Sequence, residues 1–254
     1  MARTEPAPGS PEGDAGLAKA QRRFHADGLS PGLPEGDAGL AKAQRRFHAD
    51  GLSPSPPEGV AGLAHARPGQ WRLGWWSGAG RRASPNFGPR PAGLPVELVV
   101  LHSISLPPGV YGGDAIERLF SNTLDGAAHP YFAQVCGLAV SAHFLVRRDG
   151  QVLQFVSCDQ RAWHAGSSRW QGRDNCNDWS IGIELEGLEG EPFDAPQYAA
   201  LVDVLQAVAR RYPVREVVGH EHVAPGRKGD PGSGFDWARL PEMPGFPAKL
   251  SVAG

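Results

Sequence analysis

Val96-Glu97-Leu98-Val99-Val100-Leu101-His102 decides the fold class. It is rich in apolar and β-branched residues, reads as a buried strand, and ends on a histidine. Elements of both kinds follow it. Gly113 to Leu124 predicts a helix with Ile116, Leu119 and Phe120 on one face. Ser141–Arg148 and Val152–Val156 predict a hairpin turning on Asp149-Gly150. Ile181–Glu186 reads as a strand, Asp194–Arg211 as a helix capped by Asp194, Val214–Val218 as a strand and Phe235–Leu240 as a short helix. Strands and helices interleave, so the class is α/β with a mixed sheet.

The N-terminal part is a different object. PEGDAGLAKAQRRFHADGLSP runs from Pro11 to Pro31 and returns unchanged from Pro34 to Pro54, and a third copy starting at Pro57 decays. The repeat offers Leu, Phe and a few Ala per unit, too little to bury against a neighbour as a solenoid must. Residues 1–70 are therefore expected to be a disordered, low-complexity extension. Residues 71–245 are expected to form the folded domain and 246–254 a C-terminal tail.

Composition excludes several partners. Lys plus Arg total 25 against 27 Asp plus Glu, a formal net charge of -2, so no basic surplus points to nucleic acid or an anionic membrane. No apolar run reaches the roughly 18 residues of a membrane span. The first residues lead into no signal-type apolar stretch. Cys136, Cys158 and Cys176 are odd in number and form no C-x-x-C, so they read as ordinary thiols in a reducing cytoplasm.

The candidate chemistry lies in the folded part. His102 closes a strand, where α/β sheets build their sites. Gly219-His220-Glu221-His222 follows the strand Val214–Val218, and Asp230 comes ten residues after His220. Two imidazoles and a carboxylate leave a fourth zinc position open for water, as hydrolysis requires. On spacing alone, His222 is an alternative ligand. In Ile181-Gly-Ile-Glu-Leu-Glu-Gly187, alternation puts Ile181, Ile183 and Leu185 on one face and Glu184 and Glu186 on the other. Either these are solvated carboxylates on an edge strand, or one takes a proton from water at the metal. Gly182 would leave room for a ligand. Lys228, in a Gly/Pro-rich loop, is either solvated or an oxyanion stabiliser.

Leu101–Gly109, Ala128–Phe132, Val140–His143, Arg161–Gly166, Cys176–Asp178, Ile181–Gly187, Gly219-His220, Ala224–Gly232 and Phe235–Arg239, in that order, resemble the type-2 zinc N-acetylmuramoyl-L-alanine amidases. Within that family the motifs look like those of the cytoplasmic branch, which acts on 1,6-anhydro-N-acetylmuramoyl peptides in peptidoglycan recycling. The resemblance spans about Trp71 to Leu240. It implies a central mixed β-sheet flanked by helices, shared with peptidoglycan recognition proteins, and zinc in a surface cleft. Carried over, His102, His220 and Asp230 would hold Zn2+, Glu184 would be the general base and Lys228 the oxyanion stabiliser. The substrate would be a muropeptide cut between the lactyl group and L-Ala, by a cytoplasmic monomer with no nucleic-acid or membrane partner. The readings set against this are an extracellular autolysin-like amidase and a non-catalytic peptidoglycan-binding module.

Three positions depart from the family pattern. Ser103 stands where Asn is expected, and Ala139 and Asn175 stand where Arg is expected. The two arginines would clamp peptide carboxylates bidentately. Arg147, Arg148, Arg161 and Arg173 are nearby in sequence and are candidates to compensate. His143 and His164 are expected to be structural or to shape the cleft, and Trp163 to pack in the core or stack on sugar.

Overall fold

The structure, a computed structural model, describes residues 69–253. The repeat therefore lies outside the described residues. Seven strands form the main sheet: β1 (Gly80–Arg81), β2 (Leu98–Ile104), β3 (Phe144–Val146), β4 (Val152–Gln154), β5 (Ser180–Glu186), β6 (Glu216–Gly219) and β7 (Ser251–Val252). Their spatial order is β7-β6-β2-β5-β3-β4-β1, parallel at every pairing except the antiparallel β3–β4 hairpin. The expected mixed sheet is present.

β2 and β5 lie side by side in the interior, and every residue of both is buried. A strand covered on both faces needs the near-continuous apolar run that β2 carries. The edge-strand reading of Glu184 and Glu186 is overturned by this placement. β5 has β2 on one side and β3 on the other, so the two carboxylates are buried.

The helices are α1 (Ala115–Phe120), α2 (Pro130–Val135), α3 (Ala195–Arg211), α4 (His220–Val223) and α5 (Arg239–Glu242). α3 starts where the sequence says it should. The backbone N–H of Asp194 donates to Gln197 Oε1 at 3.0 Å, as in a capping box. Leu201, Val204, Leu205 and Val208 of α3 pack with Val99, Leu101, Ile181, Ile183 and Leu185 in one core. Alternation then sends Leu98, Val100 and His102 to the opposite face, where Val100 and Leu98 pack with Ala165, Cys176, Trp179 and Val218. α1 and α2 join Ile104, Leu145 and Phe155 in a further core.

Several boundaries differ from the sequence reading. α1 is shorter than Gly113–Leu124, because Gly112 and Gly113 have φ of 78° and 66° and Asn122 has φ 59°. Phe235–Leu240 is not a helix. Phe235 instead packs between Tyr198 and Trp237, with ring centroids at 5.2 and 4.7 Å, and only Arg239–Glu242 is helical. Residues 246–254 are not simply a tail: Ser251–Val252 pairs with Glu216–Val217, and Leu250 is buried. The open edge of β6 recruits this short segment, a long-range effect absent from its local pattern. α2, not foreseen, begins with Pro130 in its first turn and has His129 Nδ1 accepting from the Tyr131 N–H at 3.1 Å.

Candidate metal centre

Strand register brings the first two donors together. Gly219 of β6 pairs with Leu101 of β2, so His220, the next residue, arrives level with His102. A Cβ at Gly219 would lie 2.9 Å from Pro231 Cδ and 3.1 Å from Trp237 Cζ2, so glycine lets the Asp230 loop close over the strand end. That loop is tied back by the Glu221 N–H donating to the Asp230 carbonyl at 2.9 Å. His102 Nδ1 and His220 Nδ1 are 2.9 Å apart, and Asp230 Oδ2 is 3.1 Å from each. Among the described residues these three form the group able to hold a metal ion.

The outer faces of the rings set their chemistry. His220 Nε2 is 3.2 Å from the Ala165 carbonyl oxygen, which only accepts, so this nitrogen carries the proton. His220 Nδ1 then presents a lone pair to the cluster. His102 Nε2 lies 2.9 Å from His164 Nδ1, and His164 Nε2 lies 3.3 Å from Ser180 Oγ. With the proton on His102 Nε2, His102 Nδ1 also faces inward bare. Two imidazole lone pairs and a carboxylate crowded at about 3 Å call for a positive charge between them, which a divalent cation would supply. Zinc bonds of about 2.0–2.2 Å to such donors in a tetrahedron put the donor atoms roughly 3.3 Å apart, close to the spacing here. The set fits zinc.

His222 is not part of this group. Its Nδ1 accepts from the Gly219 N–H at 2.8 Å, and its ring lies 5.3 Å from Trp237 and 6.4 Å from Trp170.

Glu184 stands opposite His102 in the parallel β5–β2 register, so both side chains leave the sheet on the same face. It is buried, as is Lys228, which lies two residues before Asp230. Glu186, on the same face, is committed elsewhere. It accepts from Arg147 Nη1 at 2.9 Å, from the Gly112 N–H at 2.7 Å and from the Arg148 N–H at 3.2 Å. The space beside Gly182 is not left for a ligand, because the ring of His164 fills it.

A cleft of about 500 Å³ adjoins the cluster, lined by Ser103, Leu188, Glu189, Glu221, Asp230 and Ser233 among others. Ser103 therefore stands in the cleft wall, Ala139 is half-buried and Asn175 is exposed. None of the four arginines proposed to compensate is spare. Arg147 pairs with Glu186 and Glu117, Arg148 with Asp194, Arg161 with Asp178 and Arg173 with Glu97. Trp163 is buried, and Cys158 and Cys176 are buried free thiols, with Cys136 half-buried.

His143 and His164 are structural, as expected, but the contact of His164 with His102 was not legible. Only its place in Arg161–Gly166, a segment shared with the family, marked it.

A mixed sheet carrying at one end a His-His-Asp group that could hold a metal ion, with a buried glutamate in register beside it, is an arrangement suited to hydrolysis. Residues 92–233 match the N-acetylmuramoyl-L-alanine amidase family, Amidase_2, and the chain belongs to it. It is similar to the 1,6-anhydro-N-acetylmuramyl-L-alanine amidase AmpD of Escherichia coli K12, at 51% identity over 169 residues, covering 66% of this chain and 92% of the relative. AmpD of Citrobacter freundii is likewise 51% identical, covering 66% and 90%. A crystal structure of an AmpD selenomethionine derivative superposes with a TM-score of 0.66 at 49% identity, covering 68% of this chain and 98% of that one.

Proposed function

We propose that this amidase cleaves the amide between the N-acetylmuramoyl lactyl group and L-Ala of 1,6-anhydro-muropeptides, as a zinc enzyme of peptidoglycan recycling in the cytoplasm. The observation that carries the reading is the convergence of His102, His220 and Asp230 within hydrogen-bond distance, in register with Glu184. The similarity to AmpD enzymes across nearly their whole length supports the substrate. Among the described residues no helix is long and apolar enough to cross a membrane.

His102, His220 and Asp230 would hold the zinc. When bound, it supplies Lewis acidity that brings the pKa of water at the site down to about 7. Glu184 accepts the proton of the attacking water and returns it to the leaving amine of L-Ala, as a general base and then a general acid. Burial suits Glu184 to this, since proton transfer in a site with little water is not diverted to solvent. Lys228, buried two residues before Asp230, would stabilise the charge that develops on the carbonyl oxygen, an interaction stronger in a buried site than in water. Ser103 and the cleft loops at Leu188–Gly190 and Gly229–Ser233 bound the space for glycan and peptide.

An assay with anhydro- and ordinary muramoyl peptides, with and without chelator, tests this reading. Release of free stem peptide from the anhydro form, abolished by chelator and restored by zinc, is expected. Chelator-insensitive release would refute the metal, and no release from either substrate would refute the function.

A further inference from the structure

One side chain touches neither the cluster nor the cleft yet reaches both histidine donors through the backbone. Asn177 is buried in the single-turn 3-10 helix Cys176–Asp178. Its Oδ1 accepts two adjacent backbone N–H groups, from His164 at 3.1 Å and from Ala165 at 2.8 Å. These two residues are the outer partners of the two imidazoles. His164 Nδ1 faces His102 Nε2 at 2.9 Å, and the Ala165 carbonyl faces His220 Nε2 at 3.2 Å. Arg227 Nη2 grips the same Ala165 carbonyl at 2.7 Å and the Ser167 carbonyl at 2.7 Å. The turn that carries Asn177 is itself held, with the Cys176 N–H donating to Ser168 Oγ at 3.0 Å and the Asn177 carbonyl accepting from Arg90 Nη1 at 3.2 Å.

We infer that Asn177 is a positioning residue for the metal centre: by clamping the His164-Ala165 dipeptide, it fixes the ring orientation and tautomer of both His102 and His220. The physical reason is that the two outer acceptors sit on consecutive residues. One carboxamide oxygen therefore sets the place of both, and any slip of the dipeptide would turn both rings together. An imidazole presents Nδ1 as a bare donor only while Nε2 keeps its proton, and each Nε2 keeps it through the partner that Asn177 holds. Outer partners of this kind govern metal affinity, and their removal costs about 10–100-fold.

This inference rests on the zinc reading above. The test compares Asn177→Leu, which keeps the volume but loses the acceptor, with Asn177→Asp, which keeps an acceptor oxygen. The readouts are the zinc Kd by chelator competition and the visible spectrum of the cobalt-substituted protein. A 10–100-fold higher Kd with an altered cobalt spectrum is expected for Asn177→Leu, and recovery toward wild type for Asn177→Asp. A wild-type Kd and spectrum in a folded Asn177→Leu would overturn the inference while leaving the zinc site standing. No zinc binding by the wild type would overturn both. Should Asn177→Leu not fold, His164→Leu against His164→Asn reads the same linkage, because the asparagine oxygen can take the place of Nδ1. Equal zinc affinity in that pair would overturn it.

Discussion

A Cβ placed on Gly182 would lie 2.4 Å from Cγ of His164, closer than such atoms approach in folded proteins. The glycine in the middle of β5 therefore exists for the histidine beneath it, and that histidine backs His102. The same residue ties in His143, whose Nδ1 accepts the Gly182 N–H at 3.0 Å.

Gly182→Ala should displace His164 and, through it, His102. Overpacking of this sort costs about 1–3 kcal/mol, roughly 2–12 °C in Tm for a domain of this size. Zinc affinity should fall as well, which calorimetric melts and chelator competition would show. An alanine variant with unchanged Tm and zinc affinity would mean that His164 yields freely.

Glu184 and Glu186 are two residues apart on one strand face and should separate cleanly on mutation. Glu186→Ala leaves the buried Arg147 guanidinium without its more deeply buried carboxylate partner, and breaking such a pair costs about 3–5 kcal/mol. It should lower stability in denaturant melts while the folded, zinc-loaded fraction keeps turnover. Loss of kcat at full zinc occupancy would place Glu186 in the chemistry and contradict the assignment.

His143 gives the protein an acid limit. Burial, and then the charge of Arg90, hold its imidazole well below the ordinary value of 6.5. The unfolded chain therefore takes up this proton first. The contribution is complete above about pH 6.5 and is lost as pH falls toward the depressed folded value, by up to about 1.4 kcal/mol per pH unit for one group. His143→Asn should make stability less steep in pH below 6.5, as read from urea melts at several pH values. Identical slopes would assign the acid sensitivity to other groups.

Ala139 and Asn175, where the family resemblance implies arginines, differ in how easily they would accept one. Ala139→Arg should lower KM for a muropeptide bearing a diaminopimelate carboxylate. Asn175 sits at φ 54°, ψ 62°, a left-handed conformation that asparagine tolerates. Arginine there costs about 1–2 kcal/mol of backbone strain, so Asn175→Arg should also lower Tm. No fall in KM in either variant would remove these positions from peptide recognition.

Much of this site was legible in the sequence because local rules carried it. The apolar run of β2 and the alternation in Ile181–Glu186 put His102 and Glu184 on strands, and Asp194 marked the start of α3. The pairing of Glu184 with His102 was not legible, because register between strands separated by some 80 residues is set by the whole sheet. For the same reason the sequence left Glu184 and Glu186 open as edge-strand carboxylates, and the tail residues Ser251–Val252 gave no sign of joining β6. The link from Asn177 to His164 and Ala165 runs from a side chain to backbone N–H groups, which no residue pattern encodes.

The central claim is that His102, His220 and Asp230 hold zinc while Glu184 moves the proton. One measurement reaches it directly: zinc content and turnover of an anhydro-muropeptide, determined together on Glu184→Ala. One zinc per chain, with kcat reduced by about 10²–10⁴-fold as loss of a general base entails, is the predicted result. Near-normal turnover at full zinc occupancy, or loss of the metal together with activity, would contradict it.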